Sequence, residues 1–320
     1  AERHFRAAVG QDPTDVRSLG RYAVFLEHLC GDAGGAEQYY KLAVQVDPTN
    51  AANLANYAAF LSTHRGDNEA AGSMLERAVG AEKDNAVVLS MRADFLENVT
   101  GDLDAADECY RGAIALAPES ADVAAAYAGF LFYTRGDLDR AADYYLRAVE
   151  LDKTNSDTLG AYAVLLMTIA RRGGDVAATV ERAAACFKAA IEIAQEGGGG
   201  SLAQHVGNYA VFLAHIQGDA QGANEHFDRA LQETPARADT LINYAHFLEM
   251  VVRDDEAAQG AFDRALLACG DSNAALLGSY ALFRARTHED EVDENRALFQ
   301  RAVDADPHNG ANLAAFAAFL

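Results

Sequence analysis

Residues Arg135–Asn155 have the sequence RGDLDRAADYYLRAVELDKTN. A Gly-Asp pair stands at their start: glycine can adopt the left-handed conformation that ends one helix, and aspartate can cap the next. Ala141, Tyr145 and Ala148 then share one face of a helix, because they are spaced by four and three residues. The small alanines allow a neighbouring helix to approach closely, and the tyrosine fills the remaining gap. This stretch therefore predicts the turn and the second helix of a hairpin.

A second phrase, Tyr-Ala-x-Phe-Leu, precedes this stretch and recurs along the chain. Its first residues lie 35, 35, 35, 35, 47, 35, 36 and 36 positions apart. They are Tyr22, Tyr57, Arg92, Tyr127, Tyr162, Tyr209, Tyr244, Tyr280 and Phe316. With the residue three positions earlier, the phrase forms an i, i+3, i+4, i+7 stripe, which predicts a first helix. We expect its Tyr to be a core residue, between its own second helix and the next hairpin.

Arg135–Asn155 closely resembles the second half of a tetratricopeptide repeat. The first helix keeps the family's spacing as Leu, Tyr, Ala, Leu, and one extra residue at the turn gives 35 instead of about 34 residues. The phrase also resembles the half-a-TPR (HAT) repeats of RNA-processing scaffolds, but the recurring Pro and the Ala–aromatic–Ala second helix favour the plain tetratricopeptide repeat. The resemblance implies an all-α fold, an α-solenoid in which about eight antiparallel helix hairpins form a right-handed superhelix.

One array over residues 1–320 is expected, with an insertion at about 171–200. The insertion adds twelve residues to the fifth repeat, and its glycine run at 197–200 predicts a flexible loop. That loop contacts a partner or is a tolerated surface insertion, and the second interpretation is favoured. Residues 1–10 resemble a second helix without its first, and residues 311–320 a first helix without its second. We therefore expect a segment of a longer chain, whose apolar ends are covered by its continuation, by self-association or by a partner.

The charge of the chain argues against two classes of partner. It has 26 Lys and Arg against 48 Asp and Glu, a formal charge of −22. Nucleic acids and anionic membranes bind clustered basic side chains, and the sequence contains no such cluster. No apolar run approaches the roughly 20 residues of a membrane span. The four cysteines have no paired spacing, which favours free thiols in a reducing, intracellular and cytoplasmic setting.

No pattern in the sequence indicates an enzyme or a bound cofactor. The nine histidines form no His-x-x-x-His pair, and no cysteine has a histidine at a catalytic spacing. The Gly-Asp turns lack the Lys and Ser/Thr of a phosphate-binding loop. We therefore expect no catalytic residues, no metal and no cofactor.

The resemblance places the first helices along a concave groove. One residue before the Tyr stand Asn56, Asn208 and Asn243, with Arg21 in the first repeat. In the family an asparagine here often bonds the backbone of a ligand. Together with His246, two residues after Tyr244, these are the predicted groove residues.

Small residues dominate the row two positions before the Tyr, including Gly20, Gly160, Gly207 and Gly278. This predicts tight packing between adjacent first helices, which is favoured, or a narrow apolar trough for a peptide. The two rows that flank the Tyr contain neither Lys nor Arg. The carboxylate-clamp subclass of the family, which grips acidic chaperone tails, needs those cations, so we do not expect this binding mode.

The leading functional hypothesis is a protein–protein interaction scaffold, a structural subunit of a large intracellular assembly. One alternative is a regulatory or substrate-presenting arm of an enzyme whose catalytic domain lies outside this segment. A third is a HAT-type RNA-processing scaffold, which would also act through protein contacts.

Overall fold

The computed structural model describes residues 1–173, 176–197 and 200–320. Throughout these ranges the regular structure is helical, without a β-strand. Gly198 and Gly199 of the predicted loop lie outside the described residues. The chain divides into two compact units, the N-terminal unit Ala1–Asp152 and the C-terminal unit Lys153–Leu320. The predicted all-α fold of helix hairpins is confirmed, while one continuous right-handed array over residues 1–320 stays a prediction.

The N-terminal unit consists of one helix followed by four antiparallel hairpins. Even-numbered helices are the predicted first helices, and odd-numbered ones are the second helices. Their bounds are α1 Glu2–Gln11, α2 Val16–Cys30, α3 Ala33–Val46, α4 Ala51–Phe60, α5 Asn68–Ala81, α6 Ala86–Phe95, α7 Leu103–Leu116, α8 Ala121–Gly129 and α9 Leu138–Leu151.

The C-terminal unit consists of four hairpins followed by one helix. Their bounds are α10 Ser156–Arg171, α11 Val176–Gly197, α12 Leu202–Phe212, α13 Ala220–Glu233, α14 Ala238–Phe247, α15 Asp255–Cys269, α16 Ala274–Thr287, α17 Val292–Ala305 and α18 Gly310–Phe319. Helix α11 has 22 residues, whereas α9 has 14. When α9 and α11 are aligned on their Ala–aromatic–Ala motifs, α11 begins about one turn earlier and ends about one turn later than α9. Much of the extra sequence therefore extends a helix.

The turn inside each hairpin explains the long repeat. In the described residues, five first helices continue into a π-helical turn, at Leu61–Arg65, Leu96–Thr100, Phe130–Arg135, Leu213–Gln217 and Leu248–Val252. A π turn closes from residue i to i+5 and so takes one residue more than an α turn, which accommodates the extra residue predicted at the turn. Gly136 follows in the left-handed region at φ 68°, and Asp137 caps α9 by accepting a hydrogen bond from the N–H of Arg140 at 3.2 Å.

Tyr127 shows how the core is built. Its side chain is 0% exposed, and burial together with a hydrogen bond to Asp107 raises its pKa to about 12. Its ring centroid lies 4.8 Å from Tyr144 of its own second helix and 5.6 Å from Tyr110 of the preceding hairpin. The predicted core position of the ring and its contact with its own second helix are confirmed, but the other ring that it contacts belongs to the preceding hairpin and not, as predicted, to the next one. Helix α8 packs against both α7 and α9, and a stripe of apolar residues does not reveal which neighbour its tyrosine contacts.

The phenylalanine of the phrase links successive repeats. Phe130 packs at a tilt against Tyr110, with 5.1 Å between ring centroids. Equivalent pairs recur at 5.2–5.5 Å: Tyr40–Phe60, Phe187–Phe212, Phe227–Phe247 and Phe262–Phe283. Each of these pairs joins a second helix to the following first helix, so the same contact connects neighbouring hairpins at five places in the described residues.

The row of small residues is a packing contact between adjacent first helices, as the favoured interpretation expected. A Cβ atom on Gly20 would lie 1.9 Å from Asn53 Oδ1, and one on Gly160 would lie 2.5 Å from His205 Nδ1. Gly207 faces Thr240 and Gly278 faces Asn312 in the same way. The side chain of Asn53 is buried there and donates to the carbonyl oxygen of Val16 at 3.1 Å. Each glycine therefore forms a notch that a buried polar side chain of the next first helix fills.

Removing the Tyr127 ring is expected to destabilise the N-terminal unit. Tyr127→Ala should lower the free energy of unfolding by about 3–5 kcal/mol, because it leaves a cavity between two hairpins. Urea unfolding followed by circular dichroism measures the change. The matched control is Tyr133→Ala, whose side chain is 67% exposed and should shift stability by no more than about 0.5 kcal/mol. Equal stability of the two variants would show that Tyr127 is not a core residue.

Two substitutions at equivalent turn positions should change the stability of the protein in opposite directions. Gly136→Ala should destabilise by about 1–2 kcal/mol, since its φ of 68° disfavours a residue with a Cβ. Arg253 occupies the same turn position at φ 65°, and Arg253→Gly should stabilise by up to about 1 kcal/mol. Melting temperatures of the two variants test both signs, and a stabilised Gly136→Ala protein would contradict the argument.

A third expectation concerns pH. His205 is 3% exposed, its Nε2 lies 3.3 Å from Asp157 Oδ1, and its Nδ1 has no hydrogen-bond partner among the described residues. Burial lowers its pKa and Arg237 adds to this, while Asp157 opposes it. The unfolded state therefore binds the proton more readily, so stability should fall as the pH drops below about 6.5 and level off below the folded-state pKa.

The control for this expectation is His205→Asn, which installs the residue found in the Gly20 and Gly278 notches. Denaturant unfolding of both proteins from pH 8 to pH 5 provides the comparison. The pKa of His215 is also lowered by burial, so only the difference between the two proteins reports on His205. The pH dependence should be shallower in the variant, and superimposable profiles would refute the assignment.

Candidate functional site

Each first helix has one side that no other helix covers. The positions five and one before the Tyr, and two and six after it, lie on this side because they are spaced by four, three and four residues. In all eight first helices from α2 to α16, none of these positions is buried. We call this side the open face. All five predicted groove residues lie on it.

Arg21 and Asn56 lie together in the N-terminal unit. They line a cavity of about 770 Å³ whose lining comes from α1, α2 and α4 and from Ala1 and Asn50, which precede α1 and α4. Phe5, Val24 and Phe25 supply apolar surface, and Phe5 packs at a tilt against Phe25 with 5.2 Å between ring centroids. The cavity is therefore an apolar recess with polar groups at its edge.

Asn208 and Asn243 lie in the C-terminal unit, on the successive first helices α12 and α14. Both side chains are half-buried, as is that of Asn56. None of these three carboxamides makes a hydrogen bond to another described residue. Each can therefore donate to and accept from the backbone of a bound segment.

His246 contacts two other residues of the C-terminal unit. Its Nδ1 lies 3.6 Å from Glu249 Oε2, and its ring meets Phe262 edge-on with 5.4 Å between centroids. His215, on the neighbouring helix α12, has its pKa lowered first by burial and then by the nearby Arg171 and His246. His215, Arg171 and His246 therefore lie near one another in the C-terminal unit.

Several acidic side chains on the first helices are engaged within the protein. Glu27 accepts a hydrogen bond from the Tyr40 hydroxyl at 2.7 Å and lies 3.1 Å from His64 Nε2. Tyr110 donates to Asp94, whose pKa is raised by burial. These carboxylates join neighbouring helices, so the acidic composition of the chain overstates the acidity of the surface that a ligand meets.

The sequence analysis missed Arg17, His28 and Leu29, which also line the cavity. Arg17 precedes Arg21 by four residues and His28 follows it by seven, so all three share one side of α2. That spacing was a usable signal, but the prediction used only positions within two residues of the Tyr. The contribution of α1 to the cavity could not be found from spacing.

The described part of the chain contains neither a metal-binding group nor a disulfide. Within residues 1–173, 176–197 and 200–320, no three His, Cys, Asp or Glu side chains are grouped to hold a metal ion. The four cysteines are free thiols. None of the described helices combines the length and the apolar character needed to cross a membrane.

The repeated hairpins and the open face define a helical-repeat protein. Residues 99–156 match the tetratricopeptide repeat family. The crystal structure of the APC/C hetero-tetramer Cut9–Hcn1 contains a similar chain, with a TM-score of 0.68 and 15% identity over 100% of this chain and 58% of that one. The human IFIT1 dimer with PPP-AAAA gives a TM-score of 0.68 and 16% identity over 95% of this chain and 72% of that one.

The chain therefore resembles tetratricopeptide-repeat proteins in sequence over residues 99–156 and in fold over its length, as its sequence predicted. At such low identity the structural likenesses show the fold alone. This chain spans just over half of the similar chain in the Cut9–Hcn1 structure. No curated protein sequence matches it significantly. Repeats of this family generally mediate protein–protein interaction.

Proposed function

We propose that the chain is a non-catalytic scaffold that binds segments of other proteins on the open face of its first helices, as a structural subunit of an intracellular assembly. The observation that carries the proposal is the set of unpaired, half-buried carboxamides of Asn56, Asn208 and Asn243. A half-buried carboxamide without a partner can hydrogen-bond the backbone of a bound peptide, whatever side chains that peptide carries. The free cysteines support a reducing compartment.

Charge favours a protein partner over a nucleic acid. The IFIT1 structures contain PPP-AAAA or m7Gppp-AAAA, so this fold can accommodate such ligands in that protein. Here Lys or Arg stands at the open-face positions of α2 and α16 alone, whereas Asp122 and Asp239 stand at those of α8 and α14, in a chain of formal charge −22. A phosphate backbone would therefore find no continuous row of cations along this face.

The open-face asparagines can be tested directly. The Asn208→Ala/Asn243→Ala double variant should lose partners that the unaltered chain captures from cells, because the bound backbone loses two sites of hydrogen bonding. Quantitative mass spectrometry of affinity-captured proteins provides the measurement. A loss of at least about fivefold is expected if each contact contributes about 0.5–1.5 kcal/mol.

The matched control is Gln221→Ala/Gln300→Ala, which removes two exposed carboxamides from the second helices α13 and α17. This variant should capture the same partners as the unaltered chain. An unchanged partner set in the Asn208/Asn243 variant, with normal stability, would refute binding through this part of the open face.

A further inference from the structure

The second helix α5 lacks the aromatic ring that the other second helices contribute to the core. From α3 to α17, each second helix has one large residue three positions before an alanine of its buried stripe. In α5 this large residue is Leu75, three before Ala78. In the other seven it is aromatic: Tyr40, Tyr110, Tyr145, Phe187, Phe227, Phe262 and Phe299. Because leucine is smaller than an aromatic residue, α5 leaves space at its junction with the next hairpin.

A cavity of about 180 Å³, which we call the α5 cavity, lies where that ring would lie. The ring of Tyr110 contacts the phenylalanine twenty residues later, and its hydroxyl donates to the residues sixteen and thirteen positions earlier. Twenty residues after Leu75 comes Phe95, and sixteen and thirteen residues before it stand Ala59 and Ser62. All of these residues line the α5 cavity together with Leu75 itself.

The exposure of Phe95 agrees with this account. Its side chain is half-buried, whereas the equivalent Phe60 and Phe130 are 0% and 2% exposed. The apolar side chains of the lining are Leu75, Met91, Phe95 and Val99. An apolar cavity of about 150 Å³ is large enough to bind a benzene ring. The α5 cavity therefore has the size and the wall of a site for one aromatic ring.

The polar side chains of the lining offer hydrogen-bond acceptors. Ser62 Oγ donates its hydrogen to Asn68 Oδ1 at 2.9 Å. Asn98 Nδ2 donates to the carbonyl oxygen of Asp94 at 3.0 Å, which leaves Asn98 Oδ1 as an acceptor. Asp94 Oδ1 accepts from the Tyr110 hydroxyl, and Asp94 Oδ2 has no partner among the described residues. A neutral hydroxyl on the ring would find acceptors here, while a negative group would be repelled by Asp94.

We infer that the α5 cavity binds one phenolic ring, which takes the place of the ring that α5 lacks. The ring packs against Phe95 and Met91, and its hydroxyl donates to the acceptors of Asp94 and Asn98. Both of these acceptors stand at open-face positions of α6, so the ligand enters from that side. A free phenol and the tyrosine side chain of another protein share this chemistry. The inference does not rest on the proposed scaffold function, because a free phenol needs no bound protein segment.

Methyl NMR of the full chain with carbon-13-labelled methionine tests the inference. The chain has four methionines, of which Met91 lines the α5 cavity and Met250 is 55% exposed in the C-terminal unit. Titration with p-cresol should shift the Met91 signal saturably and leave the Met250 signal in place. Toluene, which lacks the hydroxyl, should bind at least about threefold more weakly, and the carboxylate p-toluate should not bind. An unresponsive Met91 signal, or equal binding of p-cresol and p-toluate, would overturn the inference.

Two substitutions that fill the α5 cavity locate the binding. Leu75→Tyr restores the ring from within and should weaken p-cresol at least about tenfold while raising the melting temperature. Ala59→Leu fills the cavity from an exposed position of α4, so it blocks the ligand without altering the core. The matched control is Leu282→Tyr on α16, where the side chain is 53% exposed and the affinity should not change. Unchanged p-cresol binding in both filled variants would place the ligand elsewhere and reject the site.

The Met91 signal also separates the two sources of the ring. A short peptide with one Tyr between Gly-Ser flanks should shift this signal if a protein partner carries the ring, and its Tyr→Leu version should not. A response to p-cresol without a response to the peptide assigns the site to a free phenol. Either result supports a ring site, and failure of both ligands overturns it. Partner capture by the Asn208/Asn243 variant is measured separately, so this site and the scaffold can fail independently.

Discussion

The tilted ring contact between an aromatic residue of one second helix and the phenylalanine of the next first helix is the contact on which the other features depend. It recurs at 5.1–5.5 Å between centroids, from Tyr40–Phe60 to Phe262–Phe283. Because this ring pair sets the distance between hairpins, the other positions of the first helix acquire fixed surroundings. The Tyr is enclosed, the small row meets the adjacent first helix, and the remaining side is left uncovered.

Longer side chains strengthen the same junctions. Arg77 donates to the carbonyl oxygen of Pro48 at 3.1 Å, and Arg264 donates to that of Pro235 at 3.4 Å, both across 29 residues. The guanidinium of Arg65 lies 5.6 Å from the ring centre of Phe60 and also bonds Glu37 of the preceding hairpin. Such bonds connect a second helix to the loop before it, or a turn to the neighbouring hairpin. Individually they are modest, and Arg147 repeats the first kind by donating to the carbonyl oxygen of Pro118.

Much of the fold could be predicted from the sequence, because the information is local and repeated. The 35-residue period, the Gly-Asp turns and the apolar stripes identified hairpins, and Asp137 caps its helix as expected. The neighbour of Tyr127 was assigned wrongly, since a stripe defines a face and not the helix that covers it. For the site, spacing placed Asn208 and Asn243 on an accessible side. It did not predict the cavity at Arg21, which depends on where α1 lies against α2.

The glycine notches have a consequence for how the chain can change. Gly20 accepts Asn53, Gly160 accepts His205 and Gly278 accepts Asn312, whereas Ile242 occupies the notch position of α14 and the apolar Leu276 stands at the matching position of α16. Junctions thus differ in their complementary pairs, although the repeats share length and outline and two of these junctions share a Gly–Asn pair. Excising or transposing a whole repeat between unlike junctions would keep the period but bring a polar side chain against a bulky one, or leave a notch empty. These pairs therefore limit how the hairpins can be reordered, and new arrays made from this chain must exchange both members of a pair together.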